Sequence, residues 1–186
     1  FGPPGSVVSD MTDARLNIRQ IRFSNGVMLN LKQTDLSKDR VSYRMSVDGG
    51  SLLNTRDNPL ATSMVSVIPA GGLGKHSRDE LQTALAGRNA DMSISSGGDV
   101  FVSSGTTTNR DIELQLQLLA ATLTDPGYRK EGETRYRRSV TNFYKTLDST
   151  PGRALSAALG GIVSDQDPRF TLQSEKDTKA RSYALL

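Results

Sequence analysis

The densest group of chemically able residues lies in "AGGLGKHS", residues 70–77. Gly71, Gly72 and Gly74 stand there beside Lys75 and the chain's one histidine, His76. Phosphate binding is the first chemistry such a stretch brings to mind. A phosphate loop needs Gly-x-x-x-x-Gly-Lys-Ser/Thr, so that backbone N–H groups wrap the phosphates. Here Pro69 stands where the first glycine is required, and His76 follows Lys75 in place of the hydroxyl. A connection between two helices explains the stretch better. His76 has no partners for other chemistry either. No serine sits in a Gly-x-Ser-x-Gly elbow, and a catalytic zinc site needs at least two histidines, or one with several carboxylates. It reads as a surface residue just before a helix cap.

Two other groups carry charge. "RRSVTNFYK", with Arg129, Lys130 and Arg135 upstream, combines cations with aromatics, as single-strand binders do. But Tyr136, Phe143 and Tyr144 recur at helical spacing, so they read as core and the arginines as its solvated face. Asp165, Asp167 and Asp177 lie around a turn without the spacing of a calcium loop.

Composition narrows the field further. The chain has 186 residues, a net charge of +3 and no cysteine. Disulfides, thiol nucleophiles and thiolate metal sites are therefore excluded. A mild positive excess does not argue for nucleic acid. No apolar run is long enough for a membrane span. Residues 1–14 open with "FGPPG" and are expected to be a linker.

The elements that hold the glycine loop are marked along the sequence. Asn25-Gly26 between apolar runs predicts a hairpin, with both turn residues able to take positive φ. Val41, Tyr43, Met45 and Val47 alternate with polar residues, so one face of that strand is buried. Asn58-Pro59 starts an expected helix whose stripe is Leu60, Ala61, Met64, Val65 and Ile68. Ser77 and Glu80 form a capping box for the next helix, and Gly87 suits its end. A second hairpin turns at Gly97-Gly98. Asn109 caps a helix expected to bury Ile112, Leu116, Leu119 and Leu123. Another follows over about Glu131–Leu147, with its stripe at Tyr136, Val140, Phe143, Tyr144 and Leu147. Pro151-Gly152 breaks it, "RALSAALGGIVSD" reads as a third helix, Asp167-Pro168 makes a turn, and "SEKDTKARSYALL" starts a last helix. Antiparallel hairpins and segregated helices predict an α+β fold, an antiparallel sheet with helices packed on one face.

The succession "FSNGVMLNLKQTD … VSYRMSVDGGSLLN … PLATSMVSV … GLGKHSRDELQTALAG … ADMSISSGGDVFVSSGTTT … LQLLAATLTDPGY" resembles the M16 zinc metallopeptidases, the insulinase, pitrilysin and mitochondrial processing peptidase group. It runs from about Arg15 to the end, and it implies a LuxS/MPP-like metallohydrolase fold. Active members carry His-x-x-Glu-His on the helix after the "GGS" strand. Its imidazoles bind zinc and its glutamate activates water. Aligned on that motif, Thr62 and Ser66 fall at the histidines and Val65 at the glutamate. The third ligand, a glutamate of a later helix, falls at Asn142 or Phe143. All are chemically degenerate.

The resemblance thus implies the non-catalytic copy of a duplicated domain, spanning residues 15–186 and cut before its last strand. Such a copy walls a peptide chamber opposite a zinc-bearing half elsewhere in the parent. No metal or other cofactor is expected in this chain; zinc is expected in the partner half. The implied partners are that half and a peptide substrate, with neither nucleic acid nor a membrane span. An open sheet edge would permit an edge-strand dimer. Long bacterial members point to the cell envelope. The alternative is an assembly module resembling the non-proteolytic core subunits of respiratory complexes.

Overall fold

The computed structural model describes residues 5–185. Two compact units divide between Asp39 and Arg40. The first is an antiparallel meander of β1 (Val7–Asp13), β2 (Ile18–Phe23) and β3 (Met28–Leu31). Residues 7–13, expected in the linker, thus form a strand. Val7, Val8 and Met11 supply the apolar, β-favouring side chains that outweigh the flexible residues before them. Residues 1–4 of that expected linker lie outside the described residues. A diagonal ion pair, Asp10 with Arg19 at 2.6 Å, joins β1 to β2.

The Asn25-Gly26 hairpin forms, with one difference. Only Gly26 takes positive φ (87°). The Gly26 N–H donates to Phe23 O at 3.0 Å and the Phe23 N–H to Val27 O at 2.9 Å. This is a three-residue loop with a glycine bulge, where Asn25 keeps an ordinary backbone and accepts the Val27 N–H.

The second unit begins with β4 (Val41–Asp48). Gly49 and Gly50, both at positive φ, turn the chain into a short 3-10 helix, Gly50–Leu53. A Cβ on Gly50 would lie 2.6 Å from Gly97 O, so the close approach requires glycine. A run of turns leads into a second 3-10 helix, Val65–Gly71. The glycine loop follows as a two-strand hairpin, β5 (Gly72–Leu73) and β6 (His76–Ser77), and then α1 (Arg78–Ala84). The Ser77–Glu80 capping box is present in full.

Next come β7 (Ser95–Ser96) and β8 (Val100–Thr107). The sheet order is β4-β8-β7, antiparallel, with Tyr43 opposite Gly105. Four α-helices follow, α2 (Ile112–Thr124), α3 (Lys130–Lys145), α4 (Pro151–Val163) and α5 (Glu175–Lys179), and then a short 3-10 helix, Tyr183–Leu185. The fold class is α+β with antiparallel pairing throughout. Its described strands fall into three small sheets.

Two apolar clusters hold this unit. Leu73, Leu81 and Leu118 tie the glycine hairpin and α1 to α2. Met64, Tyr136 and Val140 tie the turn segment to α3, with Val67, Tyr144 and Tyr183 packed around them. Met64 is 1% exposed, a burial contributing about 1.5–3 kcal/mol.

The buried face of α2 is a correction. It consists of Gln115, Leu118, Leu119 and Thr122, while Leu116 and Leu123 stand half exposed. Asp111, rather than the expected Asn109, is the N-cap residue. Its carboxylate accepts from Arg88, Arg110 and the Asn89 N–H. Gln115 exchanges two 2.8 Å hydrogen bonds with the Asp91 backbone. Polar side chains can occupy a buried face when every donor and acceptor is met. An apolar stripe cannot reveal such a face.

Candidate functional site

The segment expected as a helix from Pro59 is wound more tightly. Ser63 N–H donates to Leu60 O, Val65 N–H to Thr62 O and Val67 N–H to Met64 O, all i to i−3 bonds. The Ser63 hydroxyl takes the Leu60 carbonyl at 2.8 Å, and the β-branched Thr62, Val65, Val67 and Ile68 crowd an α-helical turn. Pro69 sits inside the 3-10 helix, and Gly72 at φ 121° ends it. A 3-10 helix eclipses residues three apart. Positions 62 and 66 are therefore not stacked on one face as an i, i+4 ligand pair must be.

Each singled-out residue has a definite place. Thr62 is buried, and Asn54 Oδ1 accepts both its N–H at 3.1 Å and its hydroxyl at 3.2 Å. Val65 is buried and aliphatic; Ser66 is exposed. Asn142 and Phe143 are exposed on α3. Across the segment, α3 presents Tyr136 and Val140. Asn142 and Phe143 instead line a groove whose only residues from the turn segment are Pro59 and Leu60.

Zinc does not fit these residues. The Thr62 hydroxyl is committed to Asn54, Val65 has no donor, and neutral hydroxyls are weak ligands beside imidazole or carboxylate. Among the described residues no three His, Cys, Asp or Glu side chains gather at metal-binding range. His76 lies exposed on β6, consistent with a surface residue before the Ser77 cap.

What fills the space beside the turn segment is the end of the chain. The Tyr183 hydroxyl donates to Val67 O and the Tyr183 N–H to Glu133 Oε1, each at 2.9 Å. Burial, reinforced by the Glu133 charge, pushes the Tyr183 phenol up to about 12. The Tyr183 N–H, with Arg137 beside it, lowers the Glu133 carboxyl below its usual range. Tyr144 Oη donates to Gln173 O, and Arg137 donates to Lys179 O and Arg181 O. Residues 173–183 are thereby strapped onto α3. A Cβ on Gly132 would lie 2.1 Å from Tyr183 Oη, so the strap depends on glycine in the first turn of α3. Gly132 inside a helical stretch was the one available sequence signal for this contact.

Asp167 is not part of an acid cluster for a cation. Its carboxylate holds Arg169 at 2.8 Å and Arg56 at 3.1 Å. The Arg169 side chain and N–H, then Arg56, keep it below the ordinary carboxylate range. No helix among the described residues is long and apolar enough to cross a membrane.

No family model matches the chain. Over 181 residues, 95% of the chain, it is 24% identical to the chloroplastic stromal processing peptidase of Arabidopsis thaliana, of which it spans 14%. Among solved structures it matches the ferredoxin protease FusC, crystallised with Arabidopsis ferredoxin, at TM-score 0.79 and 17% identity. That match covers 99% of this chain and 20% of FusC. The periplasmic protease PqqL of Escherichia coli matches at TM-score 0.79 and 18% identity, over 98% of this chain and 20% of PqqL. An inactive domain of a Pseudomonas fluorescens M16 peptidase matches at TM-score 0.69 and 16% identity, over 91% of this chain and 42% of that one. The chain has the fold of an M16 peptidase domain.

Proposed function

We propose that this M16-fold chain is the non-catalytic domain of a larger zinc metalloendopeptidase, walling a peptide chamber opposite a zinc-bearing half. One observation carries the reading. Val65, which the family resemblance sets at the water-activating glutamate, is buried and aliphatic, and it lies with Thr62 and Ser66 on a segment that is not α-helical. A general base must accept a proton, and a hydrocarbon cannot. Asn142 and Phe143, the two residues the resemblance offers for the third ligand, are exposed on α3 and line a groove that includes neither Thr62, Val65 nor Ser66.

Two comparisons support the reading. A Pseudomonas fluorescens domain with the same fold is itself described as inactive. The chain also spans only 20% of each of two proteases, which leaves room in a protein of that size for a separate zinc half. FusC holds a ferredoxin in its crystal structure, so a polypeptide is the class of ligand we assign to the chamber.

Mixing the purified chain with a quenched fluorogenic peptide tests this. The chain alone is expected to leave the peptide intact, and the parent protein to cleave it until zinc is chelated. Chelator-sensitive cleavage by the chain alone, or an unchanged parental rate after chelation, contradicts the proposal.

A further inference from the structure

An open groove of about 1350 Å³ runs between α3, α4 and the Pro168–Gln173 segment. It is larger than the ~300–1,000 Å³ of a small-molecule pocket. Phe143, Leu147, Phe170 and Leu172 give it apolar side chains, and Gly152, Ser156 and Ala157 keep the α4 wall low. Phe143 and Phe170 are 49% and 61% exposed, so the described residues leave this apolar surface uncovered.

Charge indicates what covers it. The lining includes Arg153 and Arg169 and no carboxylate. Arg169 lies 5.5 Å over the Phe170 ring, anchored by Asp167. Because Asp167 also holds Arg56, two guanidiniums share one carboxylate and the trio stays positive. The first turn of α4 faces the groove with Thr150, Gly152 and Arg153. Its helix dipole adds partial positive charge at the same end. Apolar walls under a positive rim complement a chain segment that alternates apolar and acidic side chains.

We propose that this groove docks an acidic, apolar peptide segment, with its carboxylates at Arg153 and Arg169 and its apolar side chains against Phe143 and Phe170. The proposal needs no zinc half and no cleavage, so it stands or falls apart from the chamber reading.

The test is fluorescence anisotropy of a labelled peptide, Asp-Leu-Phe-Glu-Leu-Asp, titrated with the whole chain at low and physiological salt. A counterpart with Lys in place of each acid is the control. Saturable binding of the acidic peptide, weakened by salt, is expected, with no binding of the basic one. Arg153→Glu is expected to lose about tenfold or more in affinity. Ser156→Trp, which fills the groove from an exposed position on α4, should abolish binding. Circular dichroism of both variants confirms that they remain folded. Equal binding of both peptides, no binding of either, or unchanged affinity in both folded variants overturns the proposal. So does self-association abolished by Ser156→Trp, because a second copy would then be the occupant.

Discussion

The hydroxyl of Tyr183 donates to the Val67 carbonyl at 2.9 Å, joining the chain's end to the segment that carries Val65. Gly132 makes the contact possible, since any side chain there would meet the phenol oxygen. Tyr183 and Gly132 therefore act as one unit.

Their coupling is measurable. Gly132→Ala should destabilise the chain by about 1–3 kcal/mol through overpacking. In a Tyr183→Ala background the same change should cost clearly less, because the phenol oxygen at 2.1 Å is gone and only the Val67 carbonyl at 3.1 Å still presses on the new methyl. Urea titrations of the four proteins complete the cycle. Additive losses would show that the two side chains do not meet.

Val65 tests the turn segment. Val65→Glu puts a carboxylate where the native aliphatic side chain is buried. It should cost about 3 kcal/mol or more at neutral pH. Burial raises the new carboxyl's pKa, so the loss should shrink on acidification toward pH ~4. An equally stable variant at pH 7 would mean that this segment opens to water.

Acid stability follows from Asp111 and Asp167. The Arg110 side chain, then the Asn89 N–H and Arg88, hold Asp111 well below the usual carboxylate range. Arg169 does the same for Asp167. A depressed folded pKa adds stability above the unfolded value of ~3.9 and loses it as pH falls below. The urea midpoint should therefore hold above pH ~5 and drop below ~4, with Asp111→Asn less stable at pH 7 and flatter in acid. A midpoint that rises on acidification would contradict this.

The sequence made some elements legible and hid others for identifiable reasons. The Ser77–Glu80 capping box, the Gly97-Gly98 turn and the alternation along β4 from Val41 to Met45 were readable because each depends on local chemistry, whereas Val47, expected on the same buried face, is exposed. The face of α2 was not, because Asp111 and Gln115 are buried by partners 22 to 24 residues away. The segment after Pro59 has helical apolar spacing, yet Asn54 clamps Thr62 from eight residues upstream and the turns tighten. At the candidate site, the residue types show that Thr62, Val65 and Ser66 carry neither imidazole nor carboxylate. That Asn142 and Phe143 face a groove required the packing of α3 beside α4.

Gln115 puts a magnitude on that hidden face. Gln115→Leu keeps the size but strands the Asp91 N–H and carbonyl, at about 1–3 kcal/mol for each group left dry. A thermal melt that matches the unaltered chain would show that water replaces both bonds.

Equilibrium zinc content is the most direct measure of a domain without its own reactive groups. The purified chain, dialysed against zinc buffer and then against metal-free buffer, should retain far less than one zinc per chain. Its unfolding midpoint should be the same with and without chelator. One tightly held zinc per chain, lost on Thr62→Ala or Ser66→Ala, would contradict the account.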